Sequence, residues 1–138
     1  MALTITPAQV NEFVQGAFDG LSTLICEEIS PTHAVTSFDT ANVMLRPGGY
    51  IPGPTQFSSA DGALWYLVFG ALDKFEPMAL TSELSIRYLR PAVGKTLYAR
   101  ADLDRIGRRQ LVGPVRVWVD DNQAKPCATA QGTYMLPD

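Results

Sequence analysis

Apolar positions along this chain follow two different periods, and the change between them divides it into elements. Near the N-terminus Val10, Phe13, Val14 and Ala17 fall at helical spacing. Thr6-Pro7-Ala8-Gln9 supplies a start signal ahead of them: Thr6 as N-cap, Pro7 at the first helical position, Gln9 able to close a capping box. The spacing predicts a helix over about 6–18, stopped near Asp19-Gly20. From Tyr50 to Leu72 the pattern differs, because the run is apolar almost all round. No Asp, Glu, Lys, Arg or His occurs between Arg46 and Asp73 except Asp61. A helix without a polar face is a buried helix. The stretch therefore predicts a long central helix over about 55–72, opened by Pro52-Gly53-Pro54 with Thr55 as N-cap, and Pro77 ends the connection that follows it.

Period two takes over after Ala79. Leu84, Ile86 and Tyr88 alternate with Glu83, Ser85 and Arg87. Leu97, Ala99, Ala101 and Leu103 alternate with Tyr98, Arg100, Asp102 and Asp104. Val115, Val117 and Val119 point one way, and Arg116 and Trp118 the other. Turn signals at Arg90-Pro91, Gly94-Lys95, Gly107 and Asp120-Asp121-Asn122-Gln123 separate the runs, and Cys127 to Leu136 forms the last. Consecutive strands joined by tight turns predict an antiparallel meander over about 80–136. Two short strands, or one broken strand, are expected between Leu21 and Phe38 around Pro31. The whole reads as one α+β domain, 1–138, in which a curved antiparallel sheet wraps the central helix and the N-terminal helix lies outside.

Composition sharpens this picture only in places. With 138 residues, 46% hydrophobic and 18% charged, the chain is globular. A formal net charge of −3 argues against a broad nucleic-acid surface. The central run is too short and too interrupted to span a bilayer, and no signal peptide is evident. A cytoplasmic protein follows, with Cys26 and Cys127 expected as free buried thiols. Neither cysteine, nor the single histidine His33, has metal-type spacing. No metal, no redox cofactor and no dinucleotide or phosphate loop is expected.

Asp61 is the candidate for chemistry. A carboxylate on a buried helix is costly unless it is paired or kept for reaction. The alternative is a cap or a salt bridge to a neighbouring chain.

Four pieces of sequence, in order, resemble a known family: Gly53-Pro54-Thr55 with Asp61 on the helix, Leu84 to Pro91, Ile106-Gly107-Arg108-Arg109, and Ala130-Gln131-Gly132-Thr133-Tyr134. Together they resemble the hot-dog fold, and within it the phenylacetyl-CoA thioesterase-like acyl-CoA thioesterases. The resemblance covers about two thirds of the chain. It implies a sheet of about five to six strands around the central helix, a homodimer or homotetramer, active sites at the dimer interface, and an acyl-CoA substrate whose CoA is no separate cofactor. The family carries an Asn, then His-Gly-Gly, then an acid on the helix. Laid on this chain, Arg46 falls on the Asn, Pro52 on the His, Gly53 and Pro54 on the two glycines, and Asp61 on the acid. Pro52 offers no imidazole and Pro54 no N–H.

Under that resemblance Asp61 is the general base or nucleophile of thioester hydrolysis. Gly53 is the oxyanion donor at the helix start, with Thr55 and Gln56 beside it. Apolar surroundings would raise the pKa of Asp61 toward that of a working base. Arg108 and Arg109, in the turn after Gly107, are candidates for the CoA phosphates, as are Arg90 and Lys95. Arg46 either pairs with Asp61 of the same or the other subunit or holds a polar acyl group. Tyr50, Phe57, Trp65 and Phe69 are candidate acyl-pocket residues. A non-catalytic protein that binds an acyl-CoA is the competing function.

Overall fold

The computed structural model describes residues 3–138. Helix α1, Pro7–Ala17, begins with the reciprocal cap that its sequence signals: Gln9 N–H donates to Thr6 Oγ1 at 3.2 Å, and Thr6 N–H to Gln9 Oε1 at 3.0 Å. It buries Val10 and Val14, and Phe13 stacks on Phe75 with ring centroids 4.5 Å apart. A polar pin fixes α1 to the sheet. Asn11 accepts from Cys26 N–H at 2.7 Å and returns a bond to the Cys26 carbonyl at 3.1 Å.

Strands β1, Ile25–Ile29, and β2, His33–Asp39, form a hairpin and are followed by the central helix α2, Gly53–Leu72. Five further strands complete the sheet: β3, Leu80–Tyr88; β4, Thr96–Asp102; β5, Arg105–Ile106; β6, Gln110–Val119; and β7, Ala128–Met135. The order is β1-β2-β4-β6-β7-β3, antiparallel throughout, with β5 added to the start of β6. The strand count therefore exceeds the expected five to six by the two-residue β5, which folds back across the Gly107 turn.

Alternation puts Leu97, Ala99 and Ala101 of β4, and Leu111, Val115 and Val117 of β6, on the face that packs on α2. Small residues there let the helix lie close. Gly113 and Gly132 are register partners directly under Leu64, and a Cβ on Gly132 would run into that side chain. On the outer face Trp118 is only 6% exposed, because it stacks on Tyr98 at 5.5 Å.

Two expectations about α2 need correction. The helix starts at Gly53, with Pro52 at the N-cap, so Thr55 lies in the first turn and is not the cap. Proline is tolerated in a first turn, where no intrahelical donor is needed, so Pro54 extends the helix toward its N-terminus. Nor is α2 buried all round. Phe57 and Ser58 are exposed and Asp61 and Trp65 half-buried, which leaves one stripe open to a groove.

Candidate active site

That groove is the larger of the clefts at the two ends of β3, with a volume of about 730 Å³. Its floor is the open stripe of α2, where Phe57, Asp61 and Trp65 recur at one-turn spacing. One wall is the segment joining α1 to β1, from Phe18 to Leu24; the other is the start of β3. Leu24 closes down on Gly62, so closely that a Cβ there would collide with it.

Asp61 is held from two sides. Thr81 Oγ1 donates to Asp61 Oδ1 at 2.6 Å, and Tyr134 Oη donates to the Asp61 main-chain carbonyl at 3.1 Å. Burial pushes the Tyr134 phenol well above its ordinary range, so it stays a donor. Thr81 sits where the β3–β7 register shifts, between Thr81 and Glu83. A bulge of this kind re-aims a side chain out of strict alternation. Asp61 Oδ2 has no partner among the described residues, and no cation reaches the carboxylate there.

The second cleft, about 690 Å³, lies at the other end of β3, at the start of α2. Arg46, Tyr50, Gly53, Gln56, Tyr88 and Arg90 line it. A tight turn sets Arg46: its N–H donates to the Tyr50 carbonyl at 2.8 Å, and Gly48 and Gly49 take φ values of 90° and 80° that favour glycine. Thr55 and Gln56 N–H both turn back to the Pro52 carbonyl, at 3.1 and 3.2 Å. Pro54 has no N–H, so Gly53 N–H is the donor left free among the described residues of this turn. Tyr88 Oη donates to the Gly53 carbonyl at 2.9 Å and braces the turn. Gln56 is buried; its Nε2 donates to the Ile51 carbonyl at 3.1 Å, while its Oε1 has no partner among the described residues.

Within one copy, then, the residues singled out from sequence fall into separate places. Asp61 and Trp65 share the groove. Arg46, Gly53 and Gln56 share the second cleft, with Pro52 and Thr55 in the turn beside it. Arg46 does not pair with Asp61 of its own copy, because the two line different clefts. Arg108 and Arg109 are exposed in the turn before β6, and Arg109 lines a small outer-face cleft with Arg105 and Met135. Of the aromatic candidates, Phe57 and Trp65 line the groove, Tyr50 lies in the second cleft, and Phe69 is fully buried core. Sequence reasoning missed Thr81 and Leu24. A bulge leaves no periodic trace, and a loop leucine gives no hint of the glycine on which it rests.

The model of the Thioesterase superfamily matches residues 48–125, more than half of the chain. No curated protein matches it. Among solved structures, a presumptive thioesterase from Silicibacter sp. aligns with TM-score 0.87 and 24% identity over 100% of this chain and 96% of that one. A Haemophilus influenzae thioesterase aligns with TM-score 0.83 and 16% identity, over 100% and 96%. The PaaI protein of the E. coli phenylacetic acid degradation operon aligns with TM-score 0.73 and 23% identity, over 96% and 91%. At these identities the structural likeness establishes the fold, a hot-dog sheet around a central helix. The family match adds the rest: the chain belongs to the thioesterase superfamily, whose chemistry is thioester hydrolysis.

Proposed function

We propose that this protein hydrolyses acyl-CoA thioesters at a site built from two copies of the chain. The observation that carries this is the pairing of Asp61 with Thr81 in an uncompensated groove at one end of β3, while the free Gly53 N–H and Arg46 lie at its other end. Among the described residues strand β3 pairs only with β7, which leaves its outer edge open. Leu80, Tyr88 and Leu89 stand exposed along and just beyond it. Exposed edges of this kind invite pairing with another chain. A two-fold axis at mid-strand would pair β3 with its copy antiparallel and set the Thr81 end of one against the Tyr88 end of the other. Each groove would then adjoin the partner's helix start.

In the composite site Thr81 orients Asp61 Oδ1, and Oδ2 faces the thioester. Asp61 either takes a proton from water as it attacks the carbonyl carbon or attacks that carbon itself. The developing oxyanion is met by Gly53 N–H, by the N-terminal end of α2, and by the Arg46 guanidinium, which replaces the donor that Pro54 lacks. The C–S bond then breaks, and CoA leaves as a thiolate that takes up a proton. Direct attack leaves an acyl–Asp61 anhydride, which water hydrolyses to restore the carboxylate. Gln56 Oε1 offers an acceptor to an amide N–H of the pantetheine arm, and Arg108 and Arg109 lie where phosphates could be collected from solvent. The reaction as written uses protein groups and water alone. Two free, buried cysteines suit a reducing compartment such as the cytoplasm, and no helix of the described residues is long and apolar enough to cross a membrane.

The test is turnover of an acyl-CoA panel by wild type and Asp61→Asn. Loss of about a hundredfold or more, with folding retained, supports Asp61 as base or nucleophile. Equal turnover removes it from the mechanism. The missing Pro54 N–H favours one competitor, an acyl-CoA binder without catalysis; tight binding with no turnover by wild type would establish it.

A further inference from the structure

The face of the sheet that turns away from α2 carries a small cleft of its own, about 170 Å³, over β3 and β7. Ser85 and Arg87 of β3 line it, with Thr129 and Gln131 of β7. Register brings these four together: Ser85 is the partner of Gln131, and Arg87 of Thr129. Residues two apart on a strand share a face, so all four point the same way. Ala128, Ala130 and Gly132 alternate with them and are buried on the α2 side. The polar groups that reach the cleft are a guanidinium, two hydroxyls and a side-chain amide, and no carboxylate lines it.

A second arginine flanks the same threonine. Arg116 of β6 is the register partner of Thr129 on its other side. Thr129 therefore stands between Arg87 and Arg116, whose Cα atoms lie about 10 Å apart at the usual strand spacing. Arg100 of β4 continues the row, opposite Arg116. Asp102 neutralises Arg100, with Nη2 3.1 Å from Oδ1. Arg87 and Arg116 are exposed, and neither has a carboxylate within ion-pair distance among the described residues. Glu83, on the same face two residues before Ser85, bonds to neither. Like charges set opposite one another across strands destabilise a sheet. A chain of net charge −3 thus keeps two uncompensated cations side by side on one face.

We propose that Arg87, Arg116 and Thr129 form a binding site for a doubly charged phosphate group on the outer face of the sheet, separate from the clefts at the two ends of β3. Two planar guanidiniums match the oxygens of a tetrahedral dianion. The hydroxyls of Thr129 and Ser85 and the Gln131 amide supply further donors. The cleft takes one such group with a few waters, at about 30 Å³ for each water. A carboxylate, with its single charge, leaves one arginine unmatched. The ligand is inorganic phosphate or the phosphate end of a small monoester.

The test is an NMR titration of isotope-labelled protein with inorganic phosphate, at about pH 8, where the group is doubly charged, and at ionic strength held constant with sodium chloride. The amide signals of Ser85, Thr129 and Gln131 should move together and saturate. Arg87→Gln and Arg116→Gln should each weaken binding about tenfold or more, the scale of a hydrogen bond to a charged group. Arg116 lies on β6, away from the open edge of β3, so its substitution separates ligand binding from edge pairing. A parallel titration with glycerol phosphate identifies the source: tighter binding than inorganic phosphate assigns the site to a monoester, and weaker binding to the free ion. Shifts that do not saturate overturn the proposal, as they would if Glu83 of a second copy already held Arg87. Equal affinity in wild type and Arg116→Gln overturns it too. So does a raised KM for acyl-CoA in Arg116→Gln, which would make the row part of the CoA site. The titration needs no turnover, so it decides the proposal whether or not the protein is a thioesterase.

Discussion

The two clefts beside β3 make opposite use of polarity. The groove over Trp65 ties its two tyrosine hydroxyls to backbone carbonyls and keeps one carboxylate, braced by Thr81, in a mostly apolar trough. The cleft at the start of α2 keeps an unpaired main-chain donor, an unpaired Gln56 oxygen and two arginines, Arg46 and Arg90, but no acid. Each lacks what the other holds. On the reading proposed above, one promotes attack on a carbonyl carbon and the other steadies the oxyanion. Under that proposal the site is complete only when the free edge of β3 is shared between two copies.

Substitutions at the two clefts should therefore fail in different ways. Asp61→Asn is the heaviest blow, with kcat lowered by about a thousandfold in a steady-state assay and substrate affinity kept, because a general base contributes a factor of that order. Arg46→Ala should cost about a hundredfold in kcat, the scale of one oxyanion donor, while Arg46→Lys recovers part of it because the charge remains. Both losses should persist at saturating substrate; an Arg46 effect confined to KM would make it a binding residue only. Thr81→Val leaves Asp61 in place but without its orienting bond. About a tenfold loss in kcat is expected with KM unchanged, and Thr81→Ser should restore kcat.

The mildest expectation lies outside both clefts. Burial pushes the Cys26 thiol up to about 12 from an ordinary value of 9.0. The folded chain keeps that proton where the unfolded chain loses it, so stability is fully present below pH 9 and falls as pH rises toward 12. Urea midpoints at pH 8 and pH 10.5 should show the decline, and Cys26→Ala should lessen it, the remainder coming from Cys127, Tyr66 and Tyr134, which burial also raises. At pH 8 native Cys26 should resist alkylation that is fast in urea.

The framework was legible in sequence because periodicity reports burial directly. The Thr6–Gln9 cap, the alternation of β4 and β6 and the apolar run of α2 all carry their signal locally. The site was legible only in its residue types. That Asp61 is the one charge in a long apolar run marks it out, and helical spacing places Trp65 beside it. Which face of α2 stays open is decided by Leu24, folded over from a distant loop onto Gly62. The Thr81 contact depends on a register shift that the alternation after Leu84 does not foreshadow. The start of α2 was misplaced by two residues because Thr55 resembles a cap, while Pro52 caps the helix without a side-chain hydrogen bond.

The shared site is tested most directly by mixing. Asp61→Asn and Arg46→Ala, each nearly inactive alone, are unfolded together, refolded as a mixture and assayed for acyl-CoA hydrolysis. If each site takes Asp61 from one copy and Arg46 from the other, half of the sites in a mixed dimer are intact, and the mixture regains about a quarter of wild-type activity. Activity no higher than the average of the two separate variants would contradict a site shared between copies.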